Sequence, residues 1–219
     1  MPDPLPTATV LLGTTATLAI VHALLGVDHS LPFVALGRAR GWSLRRTLFL
    51  TAACGGGHVL SSVLIGAVGV GLGIATDALL WLESARGQWA AALLIGFGLA
   101  YAAWAALRRL RAAGRPTPHP DSTAAVRATP WALFVVFALG PCEPLIPLMV
   151  VPGMARDWLT LGAVVAVFGA LTVGVMLAAV AAGYRGIELL GAARISRHAD
   201  VAAGLVVAAS GAAVLFLGL

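Results

Sequence analysis

The chain of 219 residues contains no lysine and few charges of any kind. Charged residues make up 11% of it, and all 14 basic side chains are arginines. Soluble domains carry roughly 25% charged residues, whereas 60% of this chain is hydrophobic and its mean hydropathy is +0.96. So short a chain cannot bury that much apolar surface in a core of its own. The composition therefore excludes an ordinary soluble domain and indicates a protein that faces lipid.

Cysteine is also scarce, and the first residues carry no positive charge. The two cysteines, Cys54 and Cys142, lie inside apolar runs, which argues against an extracellular disulfide framework. The segment 1–6 lacks the basic start of a cleavable signal peptide. We expect a transport protein rather than an enzyme. Its partners would be the lipid bilayer and the transported substrate, and we expect no nucleic acid. Whether the chain forms a homo-oligomer stays open.

Six apolar runs are long enough to cross a bilayer as helices. We therefore predict an all-α membrane protein with six transmembrane helices. The first two runs are longer than a bilayer requires, so we expect them to tilt, kink or break. The predicted helices cover about residues 7–36, 47–76, 87–107, 131–152, 158–183 and 200–218.

The arginines cluster in three of the predicted loops. The positive-inside rule then places those loops in the cytoplasm and both termini outside, in a bacterial-type inner membrane. His119 and His198 fall in these loops and are expected to be solvated. Arg86 and Arg156 are expected in the opposite loops, beside Glu83 and Asp157. The clustered residues are Arg38, Arg40, Arg45, Arg46, Arg108, Arg109, Arg111, Arg115, Arg127, Arg185, Arg194 and Arg197.

The chain divides into two halves with weak internal similarity. A Pro-rich cytoplasmic linker, 115–130, separates the first half, 1–114, from the second, 131–219. The sequence ARGW at 39–42 is echoed by ARDW at 155–158, and DHSLP at 28–32 by EPLIP at 143–147. Three helices per half would make the repeats inverted, with helices 1 and 4 broken. Transporters of this architecture bind substrate at the repeat interface.

Polar residues in helices 1 and 2 are candidates for a binding site. His22 and His29 are seven residues apart and share a helical face, and Asp28 precedes His29. A carboxylate near the middle of a membrane is rarely kept without a partner. In helix 2, the glycines at 55–57 permit a close helix approach at His58. Ordinary packing stays open as an alternative for His58, and solvation at the membrane interface for Asp28.

Helix 4 contains three prolines, at 141, 144 and 147, and cannot be continuous. The carbonyls of Phe137, Gly140 and Glu143 should lose their usual donors. Irregular backbone at this depth occurs inside protein or along a water-filled cavity. Cys142 and Glu143 lie at the break.

These side chains together are typical metal ligands. Imidazole, carboxylate and thiolate bind divalent first-row metals. The imidazoles and carboxylate suit nickel, cobalt or zinc, and the thiolate favours zinc or copper. The predicted metal ligands are His22, Asp28, His29, His58, Cys142 and Glu143.

The pattern from His22 to His29, followed by Gly57-His58, resembles the nickel/cobalt transporter families. These include the high-affinity permeases, the nickel/cobalt exporters and the urease-accessory-type membrane proteins. They carry a His, four residues and Asp-His on one helix, with another His on the next; here five residues separate His22 from Asp28. The resemblance implies that His22, Asp28, His29 and His58 bind a transported cation, with nickel or cobalt first.

The segment Pro141-Cys142-Glu143-Pro144 is similar to the motif of the CcdA/DsbD-type thiol-reductant conduits. That resemblance implies an alternative function, a transmembrane thiol–disulfide conduit using Cys54 and Cys142. A third alternative is an anion or amino-acid exporter of the same superfamily. Our first expectation is a permease for a divalent transition-metal cation.

Overall fold

The computed structural model describes residues 4–112, 123–189 and 198–217, and within them every regular element is helical. Part of the predicted linker, including His119, lies outside the described residues. The remainder, from Thr123, already belongs to a helix. The helices are α1 Pro4–Leu25, α2 Leu31–Ala39, α3 Leu44–Leu72, α4 Thr76–Ala112, α5 Thr123–Leu139, α6 Leu145–Met154, α7 Trp158–Leu189 and α8 Ala199–Leu217.

Five of the described helices, α1, α3, α4, α7 and α8, are long and apolar enough to cross a membrane. Large apolar side chains cover their outer faces; Phe49 and Trp89, for example, are each 72% exposed. Exposed apolar surface of this extent indicates contact with lipid rather than water. The expected sixth span, 131–152, consists instead of the short helices α5 and α6.

The first predicted helix breaks and the second does not. α1 ends before Gly26, a 3₁₀ turn covers Val27–His29, and α2 begins at Leu31. A side chain at position 26 would overlap the His29 imidazole, so the break requires glycine there. By contrast, α3 continues through its three glycines and ends at Leu72, where Gly73 caps it with a left-handed φ of 65°.

α4 begins 11 residues before its predicted start at residue 87. The sequence placed Glu83 and Arg86 in a loop because they are charged, and that placement is wrong. Both lie within α4 as an ion pair, with the Glu83 side chain fully buried and that of Arg86 only 13% exposed. Arg156 does lie in a loop, between α6 and α7. There Asp157 precedes α7, and hydrogen bonds from Thr160 lower the pKa of Asp157 below its usual value.

α4 and α8 run antiparallel and pack through small residues. A Cβ at Gly98 would lie 2.6 Å from the Gly204 carbonyl oxygen, and one at Gly204 would lie 2.6 Å from the Ala102 nitrogen. The backbones can approach this closely only because these side chains are absent. Around this pair, α1 and α3 pack on α7, while α5 packs on α3.

Candidate metal centre

Three histidines from three different elements meet inside the bundle. His22 lies near the end of α1, His29 in the 3₁₀ turn and His58 in the middle of α3. One ring nitrogen from each falls within 4.8 Å of the others, a spacing that could hold one metal ion. His29 and His58 are each 3% exposed, and His22 is half-buried. The sequence-based prediction that these three side chains belong to one site is therefore consistent with the structure.

The break at Gly26 brings the first two histidines together. In a continuous helix, residues seven apart share a face but are separated by about 10 Å along the axis. In the structure the ring centroids of His22 and His29 are 4.8 Å apart, and those of His29 and His58 are 5.1 Å apart. Two residues on one helical face thus become neighbours because the chain turns between them.

Hydrogen bonds fix the orientation of two of the imidazoles. His29 Nδ1 donates to the Asp28 carboxylate at 2.9 Å, and His58 Nδ1 lies 3.2 Å from the Phe137 carbonyl oxygen. Because a carbonyl and a carboxylate accept, both protons are held on Nδ1 and both Nε2 atoms are left as ligands. His29 Nε2 is buried and has no hydrogen-bond partner. A metal-binding histidine has this arrangement, with its second nitrogen bonded to a carboxylate or a carbonyl. Asp28 thus supports His29 through this contact.

Cys142 places a thiol beside two of these imidazoles. Its Sγ lies 3.2 Å from His58 Nε2 and 3.9 Å from His22 Nε2, and the residue is fully buried. With metal–nitrogen and metal–sulfur bonds of about 2.0 and 2.3 Å, neighbouring ligand atoms of a tetrahedral site are about 3.3–3.5 Å apart. The observed sulfur–nitrogen spacings to His58 and His22 lie near that range, so the thiol could join these two imidazoles on one ion after small shifts.

Glu143 is not brought into the cluster. It is exposed, and it lines a cavity of about 320 Å³ that also borders His22 and His29. The wall includes Gln88 of α4 and Leu215 of α8, so the cavity extends toward the end of the bundle where α4 begins and α8 ends. A second cavity of about 20 Å³ borders Asp28 and His58, enough for one water-sized occupant.

Comparisons of the chain with protein-family models, with curated proteins and with solved structures gave no significant match. Any function must therefore be argued from the geometry of the site.

At the proline-rich break, other groups donate hydrogen bonds to the carbonyls that have lost their usual backbone N–H donors to proline. Phe137 O accepts from Gly140 N at 3.0 Å and is also in contact with His58. Gly140 O accepts from Arg86 at 3.3 Å. Gly140 must be small, because a Cβ there would lie 3.2 Å from His58 Nδ1. The expectation of freed carbonyls is met at Phe137 and Gly140, and one of the substitute donors is a histidine of the cluster.

Sequence reasoning missed the polar network next to the thiol. Glu83 and Arg86 of α4 join Ser61 and Ser62 of α3 around the break. The Glu83 carboxylate accepts from the backbone N–H of Cys142 at 3.0 Å. The available signal was the three-residue spacing of Glu83 and Arg86, which is typical of an ion pair on one helix.

Proposed function

We propose that the chain is a membrane permease for a divalent transition-metal cation. The observation that carries the proposal is the convergence of three imidazoles, two of them oriented by Asp28 and Phe137, with the Cys142 thiol beside His22 and His58. Groups of this kind bind first-row metals. Polar side chains at such depth in a membrane protein are expensive and mark the path of a substrate.

The arrangement of the helices supports a transporter built from two inverted halves. In each half a broken helix precedes two long ones: α1 and α2 before α3 and α4, and α5 and α6 before α7 and α8. The packing is reciprocal, since α1 lies on α7 as α5 lies on α3. On this reading α5 and α6 together form the sixth span, and the cation site lies where the two breaks meet.

The two ends of the bundle differ in a way that fits such a transporter. At the arginine-rich end, Arg38 stacks on the Tyr184 ring at 4.1 Å, and Arg40 lies over Tyr101 and Trp104. At the other end, the 320 Å³ cavity reaches His22 and His29. With the arginines in the cytoplasm, the cavity would open outside and the path would be closed on the inner side.

The surroundings of Cys142 favour metal binding over thiol exchange. Its neighbours are His22 and His58, whereas Cys54 belongs to a different core cluster, around Phe33 and Met176. Both cysteines are buried and unpaired. A thiol relay needs a second thiol that can reach the first. We therefore prefer the metal permease to the thiol–disulfide conduit.

Metal analysis of the purified protein tests the proposal directly. Wild-type protein should retain or take up a stoichiometric amount of nickel, cobalt, zinc or copper, and His22→Ala should lose most of it. His198→Ala is the matched control, because His198 is exposed and lies outside the cluster. If the wild-type protein takes up none of the four metals, or His198→Ala loses as much as His22→Ala, the proposal is wrong.

A further inference from the structure

We infer that the buried ion pair of Glu83 and Arg86 is a positioning device for the metal site, which sets where the Cys142 thiol stands relative to the histidines. The inference rests on the proposed metal-binding function and concerns residues that bind no metal themselves. Its starting point is that a charged pair lies buried in an apolar helix, with Glu83 fully buried. Such pairs are weak contributors to stability, so this one calls for another explanation.

The ion pair is bonded to the broken backbone on both sides of Pro141. Arg86 donates to the carbonyls of Ala138 at 3.0 Å and Gly140 at 3.3 Å. Glu83 accepts from the Cys142 N–H at 3.0 Å. In a continuous helix the Ala138 carbonyl would bond the Cys142 N–H. Here the two groups are separated, and α4 supplies the partner of each.

The same network reaches the helix that carries His58. Ser62 Oγ donates to Glu83 at 3.0 Å and contacts the Cys142 nitrogen at 3.1 Å, while Arg86 donates to Ser61 at 2.9 Å. His58, Ser61 and Ser62 are three and four residues apart, so they share one face of α3. The ion pair therefore ties the imidazole-bearing helix to the thiol-bearing break.

The position of the thiol is sensitive to this network. Cys142 Sγ is a few bonds from the nitrogen held by Glu83, and it lies 3.2 Å from His58 Nε2. Metal ligation tolerates deviations of only about 0.2 Å in bond length. If the backbone at 138–142 were free to shift, the thiol would leave the position where it can join the imidazoles on one ion.

Cobalt(II) absorption of the purified full-length protein tests the inference, because thiolate–cobalt charge transfer reports the thiol and the ligand-field bands report the whole ligand set. The variant is Glu83→Gln with Arg86→Gln, which removes both charges together and leaves no unpaired ion. We expect it to fold, to lose most of the charge-transfer band, to keep ligand-field bands from the histidines and to bind cobalt about 10–100-fold more weakly. Cys142→Ser gives the reference spectrum without the thiol.

Two further variants keep the test decisive. Arg86→Lys retains the charge opposite Glu83, but its three donors on one nitrogen cannot bond Glu83, the two serines and both carbonyls together. A smaller loss in the same direction is therefore expected, even if the double variant does not fold. Glu188→Gln removes the partner of Arg38 in an ion pair at 3.5 Å whose glutamate is 73% exposed, and it should leave the spectrum unchanged. Wild-type affinity and a full charge-transfer band in both the double variant and Arg86→Lys would overturn the positioning role alone. A wild-type protein that takes up none of nickel, cobalt, zinc or copper, and so shows no cobalt bands, would instead overturn the proposed function.

Discussion

Asp28 offers the sharpest test of how the histidine cluster is held. Asp28→Asn preserves the volume of the side chain and an oxygen that can accept from His29 Nδ1, so it mainly removes a charge. The carboxylate oxygen lies 2.9 Å from Nδ1. The imidazole ring and a metal–nitrogen bond of about 2 Å would separate this oxygen from an ion bound at Nε2, so the ion would lie about 6.5 Å from the oxygen.

The expected loss of affinity follows from that distance. At an effective dielectric constant of about 20, one negative charge about 6.5 Å from a divalent ion contributes about 5 kcal/mol, an upper limit because the adjoining cavity admits water. Loss of a supporting partner of a metal ligand typically costs about 10–100-fold, or about 1.4–2.7 kcal/mol. We therefore expect Asp28→Asn to weaken metal binding at least about tenfold, and Asp28→Ala to weaken it further.

Calorimetric titration of the purified protein at a fixed neutral pH measures the effect, with Asp77→Asn as the control. Asp77 is an exposed carboxylate in the first turn of α4. A double-mutant cycle with His29→Ala makes the test specific. If Asp28 acts on the metal largely through His29, its replacement should cost much less once His29 is gone. Equal losses in both backgrounds would mean that the Asp28 charge acts on the ion directly and not through His29, and wild-type affinity in Asp28→Asn would refute the reasoning.

Four further outcomes can be measured. A cysteine in place of Arg45, on a background without native cysteines, should resist labelling from outside intact cells; labelling would contradict extracytoplasmic termini. Gly98→Ala should lower the melting temperature, since its Cβ would meet the α8 backbone, whereas Gly96→Ala, with open space around it, should not. Cys54→Ser should bind metal like the wild type and Cys142→Ser more weakly; a trapped Cys54–Cys142 disulfide would reverse our preference. Affinity should fall as pH falls, because the imidazoles and the thiol must be deprotonated to bind, and a pH-independent titration would argue against these ligands.

The sequence indicated where the chain could break near the candidate residues, but not how close their side chains would lie. Proline chemistry located the break beside Cys142, and the excess length of the first run indicated that it could break. These effects are local, so they can be read from neighbouring residues. The position of Glu143 could not be read in this way. It adjoins Cys142 in sequence, but the irregular backbone at 140–144 directs the thiol to the histidines and leaves the carboxylate on the cavity wall.

The ion pair of α4 shows why hydropathy alone misplaced a helix boundary. Glu83 and Arg86 lower the apolar character of residues 76–86, and their spacing, although typical of an ion pair on one helix, gives no sign that the pair will be buried. Their burial depends on polar backbone groups that become available only when α5 breaks, more than 50 residues later. Tertiary contacts with the end of α5 and the break after it therefore help to decide where α4 begins.

The charges around the cluster distinguish a cation from the anionic cargo that the same architecture could carry. Within the described structure, Arg86 is the arginine bonded to the break beside the cluster, and its charge is balanced by Glu83. The other ionisable groups at the cluster are the Asp28 carboxylate, the imidazoles and the Cys142 thiol, and the exposed Glu143 side chain lies on the wall of the adjoining cavity. With neutral imidazoles and a thiolate, the two negative charges of Asp28 and Cys142 balance a divalent cation, so the loaded site carries no net charge. An anion would add to the negative charge in a medium where uncompensated charge is very costly. Charge balance thus supports the proposal that this site takes a divalent cation.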